Sequence, residues 1–498
     1  MIEGYCYRRS YRSDEAIGLH VSTDAETFDV VVIRSGLEEV THHVQRGIRG
    51  TKHTVPDDVV ANGCGWPETV SISPGADWKS GFYKISLQGS DGSSSEACFI
   101  LRPAEPTAAI LWVIETNTWN AYNYYGGQST YTDDSGSYSG GAAHVSFLRP
   151  LPKGFITLPD DHARLGDAGE PGVYVQYAEW SAANDVALWT GAASWSQWNR
   201  AFARWIESEK IEVDYAASED LERFPDLLSS YRLMMSVGHD EYWSWGMRDA
   251  VESFIANGGN VAFLSGNTSY WQVRLEQDGQ QMVAYKGRVE DDPVVGTADE
   301  RYNTGIWSNR MTRRPENTMT GLSFTRGGYA RVGFVSPLSS GGYTVYRSDH
   351  WALEGTGLSY GDQLGAKSYI IAYECDGCAF QMKNGLPVPT GEDGTPTNFE
   401  IIAIAPVALF TRENAFPGLY PEGELTDLEL VSEQVEGRRD AETLAKYAHG
   451  HAVLGSYTSP GGGIVFNSGT TEWAFALVEP AVAQITRNVI NRLSAERA

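Results

Sequence analysis

The chain has 498 residues, with 38 Lys and Arg against 64 Asp and Glu, a formal charge of −26. Hydrophobic residues make up 42%, enough for a full-sized core, which excludes global disorder, and the length predicts more than one domain. The acidic balance excludes nucleic acid and anionic membrane surfaces as partners, because both demand a basic face, and no apolar run reaches the roughly 18 residues that span a bilayer.

Five cysteines is a sparse and odd number. The start, Met1 to Tyr5, has neither a basic flank nor an apolar stretch. Together these predict a chain without a signal peptide in a reducing, cytoplasmic compartment. Cys375 and Cys378 have CxxC spacing, but with no second pair nearby they read as small core or turn residues.

Residues 1–104 read as a β-sandwich. Short strands at 17–22, 28–34, 80–87 and 97–102 are separated by turns rich in Gly, Asp and Ser. Pro103 and Pro106 flank a linker, and residues 105–498 form the second domain. There the run Ala109 to Ile114 is continuously apolar, as a strand buried on both faces requires. A helix over 200–209, a strand over 212–215, a short helix over 218–223 and a strand over 231–237 follow. A helix over 245–256 stops at Gly258-Gly259, and the next strand covers 260–264. This alternation predicts a doubly wound, largely parallel sheet with ligands beyond the carboxyl ends of its strands. Residues 275–445 read as insertions over the sheet, followed by a strand at 464–467 and a closing helix at 481–493.

The chemistry is expected at those strand ends. His239-Asp240-Glu241-Tyr242 follows a buried strand, where burying three titratable groups unpaired costs several kcal/mol. Asn267 lies in the equivalent turn after the next strand, and the first strand runs into an Asn- and Tyr-rich loop from Glu115 to Gly127. Gly357 to Gly361 spells Gly-x-Ser-x-Gly but lacks the strand before it and the helix after it that a nucleophile elbow needs. No Cys follows Val237, and HExxH is absent. His-x-Glu beside tyrosines therefore points to a metal site or general acid–base chemistry rather than a triad.

Several strings carry a resemblance. GHDEYWS at 238–244, GGNVAFLSGNTSYW at 258–271, YKGR at 285–288, YECDG at 373–377 and the tail at 450–477 resemble the large subunit family of N,N-dimethylformamidase. The opening IEGYCYRRSYRSDEAIGLHVSTD and the SGFY segment resemble its central β domain. The resemblance implies a β-sandwich followed by an α/β domain like that of class I glutamine amidotransferases. It also implies an amidohydrolase with one iron held by two tyrosines and a glutamate. Carried onto this sequence, the glutamate is Glu241 and the tyrosines are Tyr122 and Tyr83, with Tyr131 in reserve. His239, Asn267, Lys286 and Glu374 fall in motifs that match the remaining active-site positions. Glu374 is the implied base, Lys286 the stabiliser of developing negative charge, and Trp119, Trp243 and Trp271 an aromatic wall. Two phenolates and a carboxylate are hard anionic donors that favour ferric over ferrous iron. A small amide is the implied substrate, with an oligomer and a small accessory subunit as implied partners. Residues 160–197 read as an insertion near the pocket. The rival readings are a carbohydrate- or partner-binding protein that keeps the fold, and a metal-free hydrolase using Glu241 and His239 as an acid–base pair.

Overall fold

A computed structural model of the chain describes residues 1–132, 141–160, 162–165, 173–332, 340–415, 419–420 and 422–496. The first hundred residues build two packed sheets. One has three antiparallel strands, Ile2–Cys6, Ile17–Thr23 and Val70–Ile72. The other has five, in the order Ser10–Arg12, Ser94–Arg102, Gly81–Gly89, Thr27–Ser35, Glu39–Arg49. Phe28, Val30 and Val32 alternate into a shared core with Leu19, Ile85 and Phe99, the period-2 burial that a half-buried strand shows. Glu39–Arg49 is absent from the sequence reading. It is an exposed edge strand rich in charged residues and histidine, which leaves no apolar alternation to read.

The central sheet has nine strands. Asp214–Ala217, Ile110–Ile114, Leu233–His239, Asn260–Gly266 and Ile464–Asn467 run parallel in that spatial order. Gly450–Thr458, Glu400–Val407, Tyr343–Val345 and Gln363–Leu364 continue the sheet antiparallel. Consecutive residues face opposite layers. Trp112, Met235 and Leu264 pack with Phe202, Ile485 and Val489 from helices Arg200–Ser208 and Pro480–Ser494. Leu111, Met234 and Phe263 pack with Met247 and Val251 of Trp245–Ala256 on the other face. Such two-sided cover is why these strands read as unbroken apolar runs.

The expected largely parallel sheet is thus half antiparallel. The reason is local: Gly450–Thr458 and Ile464–Asn467 are joined by a tight turn closed by Ser459 N–H donating to Gly463 O at 2.7 Å, and so short a connection permits only antiparallel pairing. The sandwich docks through Phe82, stacked on Trp195 at 3.9 Å, and through Arg102, 3.2 Å from Asp220. All five cysteines are free, and Cys375 and Cys378 are buried. Among the described residues no helix is long and apolar enough to cross a membrane.

Candidate functional site

The site forms where Ile110–Ile114, Leu233–His239 and Asn260–Gly266 end side by side. Gly238 sits at φ +86°, where a Cβ would meet Trp198 Cβ at 2.7 Å, so the chain can turn His239 inward only without a side chain there. Gly266 is equally constrained: a Cβ would lie 2.5 Å from the carbonyl oxygen of Glu374, so the strand end and the Glu374 backbone come into contact. The short buried helix Thr116–Tyr122 follows the first strand. Its Thr118 hydroxyl accepts the Glu241 N–H at 3.0 Å, while the Glu241 carbonyl accepts the Trp271 N–H at 2.9 Å.

Glu241 is the hub. Tyr122 Oη donates to its Oε2 at 3.1 Å, Tyr131 Oη approaches both carboxylate oxygens at 3.0 Å, and Trp271 Nε1–H donates to Oε1 at 2.8 Å. Tyr242 Oη donates in turn to Tyr131 Oη at 2.7 Å. His239, with no exposed surface, points Nε2 between two carboxylates, 2.6 Å from Glu374 Oε2 and 3.2 Å from Glu241 Oε2. Its Nδ1 lies 2.7 Å from the Ala192 carbonyl, which can only accept. Both ring nitrogens therefore carry protons when the carboxylates are ionised. Burial alone lowers the His239 pKa, but Glu374 and Glu241 outweigh it and hold it raised. For Glu241, burial pushes up, yet His239, Lys286 and the Tyr131 hydrogen bond prevail and hold its carboxyl below the ordinary value. Glu374 is buried and also receives Asn267 Nδ2–H at 3.3 Å and Tyr329 Oη–H at 3.3 Å. Burial and the adjacent Glu241 raise the Tyr122 and Tyr131 phenols well above their ordinary value, so in the metal-free chain both are neutral donors.

Lys286 places its ammonium 3.0 Å above the Tyr131 ring and 5.1 Å from the Trp271 ring. Burial pulls it down to about 7 against the attraction of Glu241, Asp427 and Glu374.

Tyr122, Tyr131, Glu241, Asn267, Trp271 and Glu374 line a cavity of roughly 100 Å³, together with further aromatic residues. Two of its polar atoms stand without a hydrogen-bond partner, Asn267 Oδ1 and Asp427 Oδ2. Among the described residues no three His, Cys, Asp or Glu side chains are grouped to hold a metal. The oxygen set available to one is two phenols and a carboxylate, Tyr122, Tyr131 and Glu241, all on the cavity wall, each phenol oxygen within 3.1 Å of the Glu241 carboxylate. That donor chemistry fits a hard, highly charged cation.

Of the residues expected from the sequence, Tyr122, His239, Glu241, Asn267, Lys286 and Glu374 come together. Tyr83 does not. It lies in the sandwich core, stacked 5.2 Å from both Trp78 and Phe99, with its hydroxyl donating to the Lys79 carbonyl at 2.7 Å. The reserve residue, Tyr131, shares the Glu241 carboxylate with Tyr122. The aromatic wall also differs from expectation. Trp119 Nε1–H is directed to Glu115, and Trp243 packs on the opposite face of the sheet; of these three, Trp271 alone lines the cavity. The described part of the 160–197 insertion supplies Trp189 and Ala192 to the wall. Residues 161 and 166–172 of it lie outside the described residues. The sequence reading placed Tyr242 in the turn after the strand without giving it a role, and it missed Tyr329 and Asp427, neither of which sits at a recognisable strand-end motif. Ser359 of the Gly-x-Ser-x-Gly string lies in a turn, its N–H bound to Asp362 at 2.8 Å, and is no part of the site.

Comparison with known proteins adds an independent line. Residues 32–486 match the family model described as N,N-dimethylformamidase beta subunit-like, C-terminal. The N,N-dimethylformamidase beta subunit of Paracoccus aminophilus is 25% identical over 233 residues, 43% of this chain and 29% of that protein. The N,N-dimethylformamidase beta subunit of an Alcaligenes species is 25% identical over 231 residues, with the same shares. The match thus spans less than a third of the length of these relatives. Among solved structures, murine CEACAM1b aligns with 23% of this chain and 62% of its own at 13% identity and a TM-score of 0.13, a likeness that carries no argument.

Proposed function

Because the chain belongs to the N,N-dimethylformamidase beta subunit-like family, we propose that it hydrolyses the C–N bond of a small amide in the cavity between Glu241 and Glu374. The convergence of two phenols and two carboxylates on one cavity, with His239 buried behind it between the two carboxylates, carries this reading. A single iron, ferric by the hardness of its donors, is held in this proposal by Tyr122, Tyr131 and Glu241. When bound it supplies Lewis-acid polarisation and acidifies water.

The chain's own groups have separate tasks. Asn267 offers its unpartnered Oδ1 to the cavity while its amide N–H group orients Glu374. Glu374 takes the proton of the attacking water as the oxygen–carbon bond forms. It returns that proton to the amide nitrogen as the C–N bond breaks, giving a carboxylic acid and an amine. His239 holds both carboxylates in place, its Nε2 2.6 Å from Glu374 and 3.2 Å from Glu241. Lys286, packed against the Tyr131 ring, provides positive potential next to the carboxylate hub and favours negative charge developing there. The parallel half of the sheet, with the site at its strand ends, supports the glutamine amidotransferase-like reading of the domain. The relatives are named as beta subunits, which supports a small accessory chain as a partner in an oligomer.

The test is metal analysis with a visible spectrum and an amide screen on the wild type and Glu241→Ala. About one iron per chain with a phenolate-to-iron absorption band, lost together with hydrolysis in the variant, is the expected result. Hydrolysis that survives complete chelation returns the site to metal-free acid–base chemistry. Absence of both iron uptake and hydrolysis favours a binding protein.

A further inference from the structure

The wall of the same cavity holds a group that the amide chemistry leaves unused. Asp427 opens the helix Asp427–Glu436. The helix start does not need it. Thr426 accepts the Glu429 N–H at 3.3 Å, and the Glu429 carboxylate accepts the Thr426 N–H at 2.8 Å, a complete capping box. Asp427 Oδ2 is nevertheless buried and has no hydrogen-bond partner. Burial pushes the carboxyl up to about 6, with hydrogen bonds from Tyr420 and Tyr329 opposing. A buried carboxylate oxygen left without a donor is costly, so the position of Oδ2 calls for a ligand.

Its surroundings specify which kind. Tyr329, stacked on Phe410 with centroids 3.9 Å apart, and Tyr420 wall the same end of the cavity. The lining holds three carboxylates, Glu241, Glu374 and Asp427, and no Lys or Arg among the described residues. His239 serves the first two. The ammonium of Lys286 lies over the Tyr131 ring, and Lys286 lines the neighbouring depression instead; among the described residues no ion pair joins it to Asp427. A carboxylate oxygen without a donor, set among tyrosine and phenylalanine side chains and joined to no Lys or Arg by an ion pair among the described residues, makes a receptor for an ammonium group.

We propose that the substrate is an amide bearing an ammonium group, seated with the ammonium against Asp427 among Tyr329, Phe410 and Tyr420 and the carbonyl toward Glu241 and Asn267. The assignment rests on the amide reading of this cavity.

Calorimetric titration of the full-length holoprotein with two isosteric probes tests it. One is betaine amide, a quaternary ammonium; the other is 3,3-dimethylbutanamide, in which carbon replaces the charged nitrogen. The wild type is expected to bind the cation at least about tenfold more tightly. Asp427→Asn is expected to bring the two within about threefold. Equal binding of the pair by the wild type, no cation binding up to about 10 mM, or a preference that survives in Asp427→Asn overturns the proposal. The wild-type comparison stands even if the variant folds poorly. Turnover of the same probes separates the two readings. Hydrolysis without cation preference refutes the ammonium site alone. Asp427-dependent binding of betaine amide and of tetramethylammonium, with neither amide cleaved, supports that site and refutes the amide chemistry.

Discussion

Replacing His239 by Gln keeps a side chain that reaches the Glu374 carboxylate and removes the positive charge between the two glutamates. In the native chain its Nε2 is within 3.2 Å of both carboxylates, and none of the three residues is more than 3% exposed. Breaking a buried charge arrangement by removing one partner costs about 3–5 kcal/mol, because the remaining charges lose their compensation. With an unfolding entropy of about 2.1 cal/mol/K per residue, roughly 400 cooperatively folding residues give about 0.8 kcal/mol per degree, so Tm is expected to fall by about 4–6 °C. Thermal unfolding at pH 7 measures this. A second variant sharpens it: in His239→Gln with Glu374→Gln, one of the opposed charges is gone, and the double variant is expected to be more stable than His239→Gln alone. A single-variant shift under about 1 °C, or a double variant whose loss is the sum of the two single losses, refutes the view that His239 is the counter-ion of this pair.

Tyr131→Phe is expected to lower iron occupancy and weaken the phenolate-to-iron band, while Tyr83→Phe leaves both unchanged; metal analysis and the visible spectrum distinguish them. Glu374→Gln is expected to reduce amide hydrolysis at least about 100-fold with iron retained, as loss of a general base does, and iron loss in that variant would move Glu374 into the ligand set. Asp376 is buried, accepts the Thr268 N–H at 3.1 Å through one oxygen and leaves the other unpartnered, and burial raises it to about 8. A carboxyl raised above its unfolded value costs stability as pH climbs from about 4 to about 8, where the unfolded chain is ionised and the folded one is not. Asp376→Asn is therefore expected to gain Tm relative to wild type across that interval, and a difference that is flat with pH would refute the assignment.

The buried parallel strands and their helices are legible because a continuous apolar run bounded by turn residues has few other uses. The helices at 218–223 and 245–256 and the strand at 464–467 fall where patterning places them. The antiparallel half of the sheet is not legible. Glu400–Val407 and Gly450–Thr458 are largely buried like their parallel neighbours, and burial on two faces carries no information about strand direction. The site divides in the same way. His239, Glu241 and Asn267 are found because titratable or amide groups immediately after a buried strand are costly unless used. Glu374 and Lys286 are found only through the resemblance, since each lies in a stretch with no periodicity.

Tyr83 shows where the reasoning from strings breaks. A tyrosine in a strand and a tyrosine at a metal look alike in sequence, and the difference is set by what its ring meets in the fold. Tyr83 belongs to an aromatic stack inside the sandwich, whereas Tyr131 comes from a loop tied to the end of the helix Thr116–Tyr122 by Thr130 N–H donating to Ala121 O at 3.1 Å. Asp427 is the complementary case. At a helix start an aspartate is the residue that local propensity already expects, so nothing in the sequence distinguishes it from its neighbours. Only the finding that Thr426 and Glu429 already complete the cap, together with one carboxylate oxygen left without a donor on the cavity wall, sets it apart as the binding group proposed above. Positions whose local role is already filled by a neighbour are therefore where substrate selectivity can be built into this fold without disturbing the elements that carry it.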